Sequence, residues 1–209
     1  MLATRSAGKL RELRPLFESH GVTVTDLAAA GVAETPEEAS IESYDTFEEN
    51  ALAKARYFFA RCGGRDVVAD DSGLVVDALG GEPGVRSKRW SGRPELHGAE
   101  LDRANNDELL RRLSDVSERR ARFVCAAAWH GARGELLTRG EVVGRIVEHA
   151  SGVNGFGYDP YFLADELGMT LADATTEAKR SVSHRGRAFD ALVEKLRARG
   201  LVPSEPSRA

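Results

Sequence analysis

Two adjacent aspartates interrupt a β-branched apolar run in Val67-Val-Ala-Asp-Asp-Ser-Gly-Leu74, and no other stretch constrains the fold as tightly. Residues 67–69 read as a buried strand. A strand that ends in Asp-Asp-Ser-Gly sets carboxylates at its carboxyl end, the edge of an open α/β sheet where ligands bind. Left uncompensated, the pair repels and one pKa rises. A divalent cation is the simplest way to keep both ionised, and hard oxygen donors suit Mg²⁺. The competing reading of Asp70-Asp71-Ser72-Gly73 is a turn with Asx capping, a common use of these residues.

Around that strand the pattern interleaves helices and strands. Residues 1–3 leave room for a short first strand. Leu10, Leu13 and Phe17 recur at helical spacing, so a helix is expected over 8–20, followed by an alternating strand over 22–27 and an exposed loop over 28–43. Thr46 with Glu49 three residues later is a capping box ahead of Ala51, Leu52, Ala55, Phe58 and Phe59, and starts a second helix. A short strand over 74–76 follows the acidic turn, and Gly80-Gly-Glu-Pro-Gly84 marks a loop. Helical spacing resumes over 94–113. Strands over 121–129 and 141–147, with a turn over 131–135, form a long hairpin. After a glycine-rich loop over 152–160, a last helix is expected over 186–199. This order implies an α/β fold with a mixed, not an all-parallel, sheet. One domain over 1–200 with a flexible tail over 201–209 accounts for the length.

Composition narrows the class of partner. With 209 residues, 42% hydrophobic and 30% charged, the chain can bury a sizeable core. A net charge of -4 argues against a nucleic-acid polymer, which asks for a basic face, but not against a free nucleotide. No apolar run approaches the roughly 18 residues of a membrane helix, and no secretory pattern opens the chain, so a cytoplasmic protein is expected. Cys62 and Cys125 accordingly read as reduced core thiols. Trp90 and Trp129 read as core or edge aromatics, and His97, His130 and His149 lack metal-ligand spacing.

Three further polar segments stand out. Thr4-Arg-Ser-Ala-Gly-Lys9 joins a strand to a helix start, where backbone N–H groups and a lysine suit phosphate, yet the Walker A pattern is absent. A plain turn with Lys9 solvated is the alternative. Asn154-Gly-Phe-Gly-Tyr-Asp-Pro160 places aromatic rings between glycines, fit either to stack on a base or to pack inward in a tight turn. Lys179 with Ser183-His184-Arg185 clusters hydrogen-bond donors that could read a carbonyl on a base edge; otherwise Ser183 is a helix cap with its neighbours in solvent. A donor set of this kind accepts a purine bearing O6 and rejects adenine, whose amino group would leave buried donors unpaired. Glu42 is a further carboxylate without a competing local role, whereas Glu49 is explained by the capping box.

Taken together, the segments resemble the inosine/xanthosine triphosphate pyrophosphatase family from Leu2 to about Leu196. The matching motifs are Ala3-Thr4-Arg5-Ser6-Ala7-Gly8-Lys9, Glu42 with Thr46-Phe-Glu-Glu-Asn-Ala51, Asp70-Asp-Ser-Gly-Leu74, Gly155-Phe-Gly-Tyr-Asp-Pro160, and Lys179 with Ser183-His-Arg185; Gly80-Gly-Glu-Pro-Gly84 also looks like a family loop. Ser6 departs from the family, which has asparagine there.

The resemblance implies an elongated mixed β-sheet flanked by helices, two lobes around a central nucleotide-binding cleft, and a homodimer. It implies Mg²⁺-dependent hydrolysis of inosine, deoxyinosine and xanthosine triphosphates to monophosphate and pyrophosphate. Glu42 and Asp71 would hold the metal with Asp70 in support, and Asp71 would orient or deprotonate the attacking water. Thr4, Arg5, Ser6, Ala7, Gly8 and Lys9 would take the triphosphate, and Ser72 would touch the ligand. From the glycine-rich loop, Phe156, Gly157, Tyr158 and Asp159 would receive the base, Phe156 by stacking and Asp159 by accepting from N1–H. Lys179, His184 and Arg185 would donate toward O6. Two alternatives remain open at this level: a Maf-like pyrophosphatase of other modified nucleotides, against which Phe156 and the Ser183-His-Arg segment speak, and a nucleotide-binding sensor without turnover.

Overall fold

The computed structural model describes residues 1–204. Its secondary structure runs α1 (Ala7–Ser19), α2 (Phe47–Arg61), β1 (Val67–Val76), α3 (Gly98–Arg112), β2 (Arg120–Gly131), β3 (Gly134–Ile146), β4 (Phe162–Ala164), β5 (Met169–Thr170), α4 (Thr176–Val182) and α5 (His184–Ala198), with short 3-10 turns at Pro36–Ser40, Asp77–Leu79 and Gly84–Arg89. The five strands form one sheet in the order β1-β2-β3-β4-β5. β3 pairs antiparallel with β4 through Gly144 opposite Ala164, and β4 pairs antiparallel with β5. Leu2 adds isolated parallel bridges to Asp26 and Val68, so the pairing is mixed as expected. No helix among the described residues is long and apolar enough to cross a membrane.

The chain divides into two compact units. The first comprises Met1–Asp71, Cys125–Gly140 and the segment from Arg185 onward; the second comprises Ser72–Val124 and Glu141–His184. Each has its own core. In the first, Leu13, Leu16 and Phe17 of α1 pack with Phe189, Leu192 and Leu196 of α5 and with Val68 and Trp129 of the sheet. Phe17 meets Phe189 edge to face, ring centres 5.6 Å apart. In the second, Leu74 and Val76 of β1 gather with Leu109 and Leu113, Phe123, Phe162 and Tyr158. Both tryptophans are core residues, as read from the sequence.

Three expectations are corrected, and three elements the sequence did not announce appear. The acidic segment does not end a strand or form a turn: β1 runs unbroken from Val67 to Val76 through both aspartates, and every residue except Ser72 is buried. A strand buried on both faces is normally a continuous apolar run. Here cations and an amide from other elements pair with the carboxylates, so the strand need not stop at them. The strand over 22–27 does not form; Val22 and Val24 alternate because they pack against the first core, not because they pair. The hairpin is longer than expected, its turn narrowed to Ala132-Arg133. Finally, β4, β5 and α4 carry no periodic signal because each is too short to show one. Of the expected tail, Leu201 and Val202 pack against the first core, while 205–209 lie outside the described residues.

Candidate active site

The first unit gathers charge around β1. Successive strand residues point to opposite faces, and Asp70 and Asp71 accordingly have different partners. Asp70 is buried; its Oδ2 accepts from Lys9 Nζ at 2.9 Å and Arg185 Nε at 3.4 Å, and the Cys125 thiol lies 3.8 Å away. Its backbone carbonyl accepts from Lys54 Nζ at 2.6 Å, and Lys54 also forms an ion pair with Glu42. Asp71 Oδ2 accepts from Asn50 Nδ2 at 3.0 Å. Asn50 is fixed in turn, since its Oδ1 accepts from the Tyr44 N–H at 2.9 Å and its Nδ2 donates to Tyr44 O at 3.2 Å.

These surroundings drive the two aspartates apart. Burial alone would raise Asp70, but Lys9, Arg185 and Lys54 together overcome it and hold the carboxyl well below its usual range. For Asp71 burial wins, and the Glu42 charge adds to it against Lys9 and Lys54, so the pKa is pushed up to about 6. Glu42 stays lowered, because Lys54 and Lys9 outweigh its burial. Burial likewise opposes the charge of Lys54, yet Glu42, Asp70 and Asp71 keep it raised.

Helix α1 presents the phosphate-type turn. Ser6 is its N-cap, with Oγ accepting from Lys9 N–H at 3.3 Å, and Thr4 Oγ1 accepts from Ser6 N–H at 3.2 Å. Ala7 and Gly8 open the helix, where backbone N–H groups have no intrahelical acceptor. Arg5 goes elsewhere. It forks onto Glu38 at 2.8 and 3.1 Å and donates to Val32 O at 2.8 Å, fastening the loop that leads to Glu42.

In the second unit, Asp159 Oδ2 accepts from Lys179 Nζ at 2.7 Å and from Phe156 N–H at 2.8 Å. The Lys179 ammonium lies 5.2 Å from the centre of the Phe156 ring. Gly155 has a φ of +79°, and a Cβ there would collide with the Asp159 carboxylate, so glycine is required on both counts. Phe156 is half-buried, whereas Tyr158 is buried and donates its hydroxyl to Ser87 O at 2.7 Å. The inward-packing reading thus holds for Tyr158 alone. His184 is buried and stacks on Phe123, ring centres 4.9 Å apart and planes 12° from parallel.

The structure therefore groups Glu42, Asp70, Asp71 and Lys9 in one unit and Phe156, Asp159, Lys179 and His184 in the other, with Ser72 on β1 just past the point where the chain passes between them. Arg185 belongs to the first unit. Its buried guanidinium pairs with Glu12 as well as Asp70, so it serves the acidic cluster. Sequence reasoning missed Lys54, Asn50, Glu12 and Phe123. A signal existed for the first two: Asn50 and Lys54 are four apart on α2 and share a face, and Lys54 is one of only five lysines in the chain.

The donor set suits a hard divalent cation. Glu42 and Asp71 are like charges close enough to raise Asp71, and Asp70 Oδ1 is buried without a hydrogen-bond partner among the described residues. No group of three or more His, Cys, Asp or Glu side chains that could hold a metal occurs among the described residues. A cation here would thus draw on one or two carboxylates and take its remaining oxygens from ligand and water, the usual habit of Mg²⁺.

A mixed α/β fold with lysines drawn in around buried acids defines a class of α/β protein with a charged cluster on its sheet. Within that class, this chain belongs to the Ham1 family, which matches residues 1–195. A protein of Streptomyces avermitilis named dITP/XTP pyrophosphatase is 46% identical over 200 residues, covering 94% of this chain and 96% of its own. A dITP/XTP pyrophosphatase of Bordetella parapertussis is 42% identical over 205 residues, covering 97% and 92%. The solved structure of a HAM1 protein from Coxiella burnetii superposes with a TM-score of 0.79 at 32% identity, covering 94% of this chain and 97% of that one.

Proposed function

We propose that this protein is a Mg²⁺-dependent pyrophosphatase that hydrolyses the triphosphates of deaminated purines, inosine, deoxyinosine and xanthosine, to the monophosphate and pyrophosphate. The observation that carries the reading is the arrangement of acids on β1: Asp70 held between Lys9 and Arg185, and Asp71 beside it, oriented by Asn50 and near the charge of Glu42. A carboxylate oriented by an amide is placed to take a proton from water. The substrate class comes from the names of the relatives and from the Asp159–Lys179 pair, which matches the donor–acceptor edge of a 6-oxopurine and mismatches that of adenine.

The phosphate end is assigned to Lys9 and the turn from Thr4 to Gly8. Glu42 and Asp71 would hold the metal, which supplies charge neutralisation to the phosphate oxygens. Asp71, held by Asn50, takes the proton of the attacking water; a P–O bond forms to that water and the bond between the α and β phosphates breaks. Lys9 and Lys54 balance charge on the phosphates and the carboxylates. At the base end Phe156 stacks, Asp159 accepts from N1–H and Lys179 donates to O6. His184 is kept in orientation by Phe123 and donates beside them, Gly157 and Tyr158 shape the loop, and Arg185 holds Asp70. Ser72 touches the ligand. We assign the working form to a homodimer, and its place to the cytoplasm, where the nucleotide pool lies.

The test is release of pyrophosphate from inosine, xanthosine, guanosine and adenosine triphosphates, with Mg²⁺ and with chelator. Metal-dependent release from the first two, lost by at least about a hundredfold in Asp71→Asn, is the expected outcome. Inorganic phosphate as product, or activity surviving in Asp71→Asn within a few-fold, would overturn the assignment. Tight binding without turnover would mark a sensor instead.

A further inference from the structure

We propose that Asp102 and Asn106, one turn apart on α3, are positioning residues for base recognition: they grip the Gly157 peptide and thereby set where Phe156 and Asp159 stand. The inference rests on reading 154–160 as the base-recognition loop. Asp102 Oδ2 accepts from Gly157 N–H at 2.9 Å. Asn106 Nδ2 donates to Gly157 O at 2.9 Å and to the Asp102 carbonyl at 2.9 Å. One helix thus holds both polar groups of a single residue of the loop. Such a double contact fixes the backbone on either side, which a single hydrogen bond does not.

The geometry transmits the grip directly. Gly157 has a φ of +64° and lies next to Phe156, whose N–H donates to Asp159 Oδ2 while the Asp159 N–H donates to Phe156 O at 3.3 Å. Residues 156–159 therefore close on themselves, and α3 ties that closed turn to the rest of the unit alongside the Tyr158 hydroxyl on Ser87 O, Lys179 on Asp159 and the Ala172 N–H on Asp159 O; of these, only α3 holds Gly157. The helix is braced in its turn. Asn105 Oδ1 accepts from Ser91 N–H at 2.8 Å and its Nδ2 donates to the Lys88 carbonyl at 3.2 Å. Asn106 is buried, a costly place for an amide unless its hydrogen bonds do something the fold needs. Its Nδ2 spends both hydrogens on this grip while its Oδ1 has no hydrogen-bond partner among the described residues, and a rigid element placing a binding loop through such contacts is how a site is held to a fraction of an ångström.

The experiment compares wild type with Asp102→Ala, Asp102→Asn and Asn106→Ala, measuring kcat and KM for pyrophosphate release from inosine and adenosine triphosphates together with melting temperature. Asp102→Ala is expected to raise KM for inosine triphosphate about tenfold and to shrink the preference over adenosine triphosphate by a similar factor, while kcat stays within about threefold. Asp102→Asn keeps an acceptor oxygen for the Gly157 N–H and is expected to restore both values to within about threefold of wild type. A purely structural role would lower the melting temperature and scale kcat equally for both substrates. An unchanged KM and preference in folded Asp102→Ala overturns the inference; if that variant does not fold, the same result in Asn106→Ala overturns it. Wild type without preference between the bases overturns the reading of the loop and the inference with it, whereas a wild-type preference retained in both alanine variants overturns the inference alone.

Discussion

Asp70 and Asp71 are identical groups joined by one peptide bond, and their surroundings separate them by the full width of the carboxylate range. Burial acts on both, but three cations overcome it at Asp70, whereas at Asp71 burial and the charge of Glu42 outweigh Lys9, Lys54 and the Asn50 amide. The consequence is measurable without substrate. With metal chelated, Asp71 has a folded pKa of about 6 against an ordinary 3.8. Between those values the folded state holds more protons than the unfolded one, so stability falls as pH rises from about 4 to about 6, by at most about 3 kcal/mol from this group. Asp70, lowered, works in the opposite sense and loses its contribution only in strong acid. Urea unfolding of wild type and Asp71→Asn in chelator across that range isolates the effect: the difference between the two should grow with pH and level off above about 6. Parallel curves would show that Asp71 titrates normally. Added Mg²⁺ should stabilise wild type above pH 6 and do much less for the variant.

At the scale of elements, α2 links capping to chemistry. Thr46 Oγ1 accepts from Glu49 N–H at 3.2 Å and donates to Glu49 Oε2 at 2.6 Å, and this start fixes the face on which Asn50 and Lys54 reach β1. Thr46→Ala should cost about 1 kcal/mol and Thr46→Ser much less, read as a shift in the urea midpoint; equal losses would remove the cap from the account. That start was legible because a capping box is a local signal. So were α1, the long hairpin and α5, whose periodic patterns run for three turns or many strand residues. The course of β1 was not. An acid pair reads as the end of a strand unless one knows that Lys9, Lys54, Arg185 and Asn50, contributed by α1, α2 and α5, meet it. For the same reason the motif residues could be named while their pairing could not: Arg185 follows His184 directly, yet one serves Asp70 and the other stacks on Phe123. Arg5 belongs to the same lesson, a motif residue spent on Glu38 and the loop beyond it.

For the molecule as a whole, the two cores are the organising fact. Phe189 sits in one and Phe162 in the other, and both are fully buried. Yet β1, β2 and β3 each begin in one unit and end in the other, so neither core can come apart without loosening strands the other needs. Phe189→Ala and Phe162→Ala should each cost about 3–5 kcal/mol. Each variant should still unfold in one transition, with coincident fluorescence and circular dichroism. Two separated transitions in either variant would show that the strands do not couple the units.

The ion pair between Lys179 and Asp159 has a consequence of its own for the protein at rest. A cation and an anion that already neutralise each other, 2.7 Å apart, exert little pull on passing ions or on stray phosphate. On the proposed reading, a base that enters must part the two and satisfy both at once. A compound supplying only one complement strands a charge away from water, and so gains less than nothing from the contact it does make. On the proposed reading this pair disfavours adenine, whereas guanine, which presents the same O6 and N1–H, must be turned away at its 2-position.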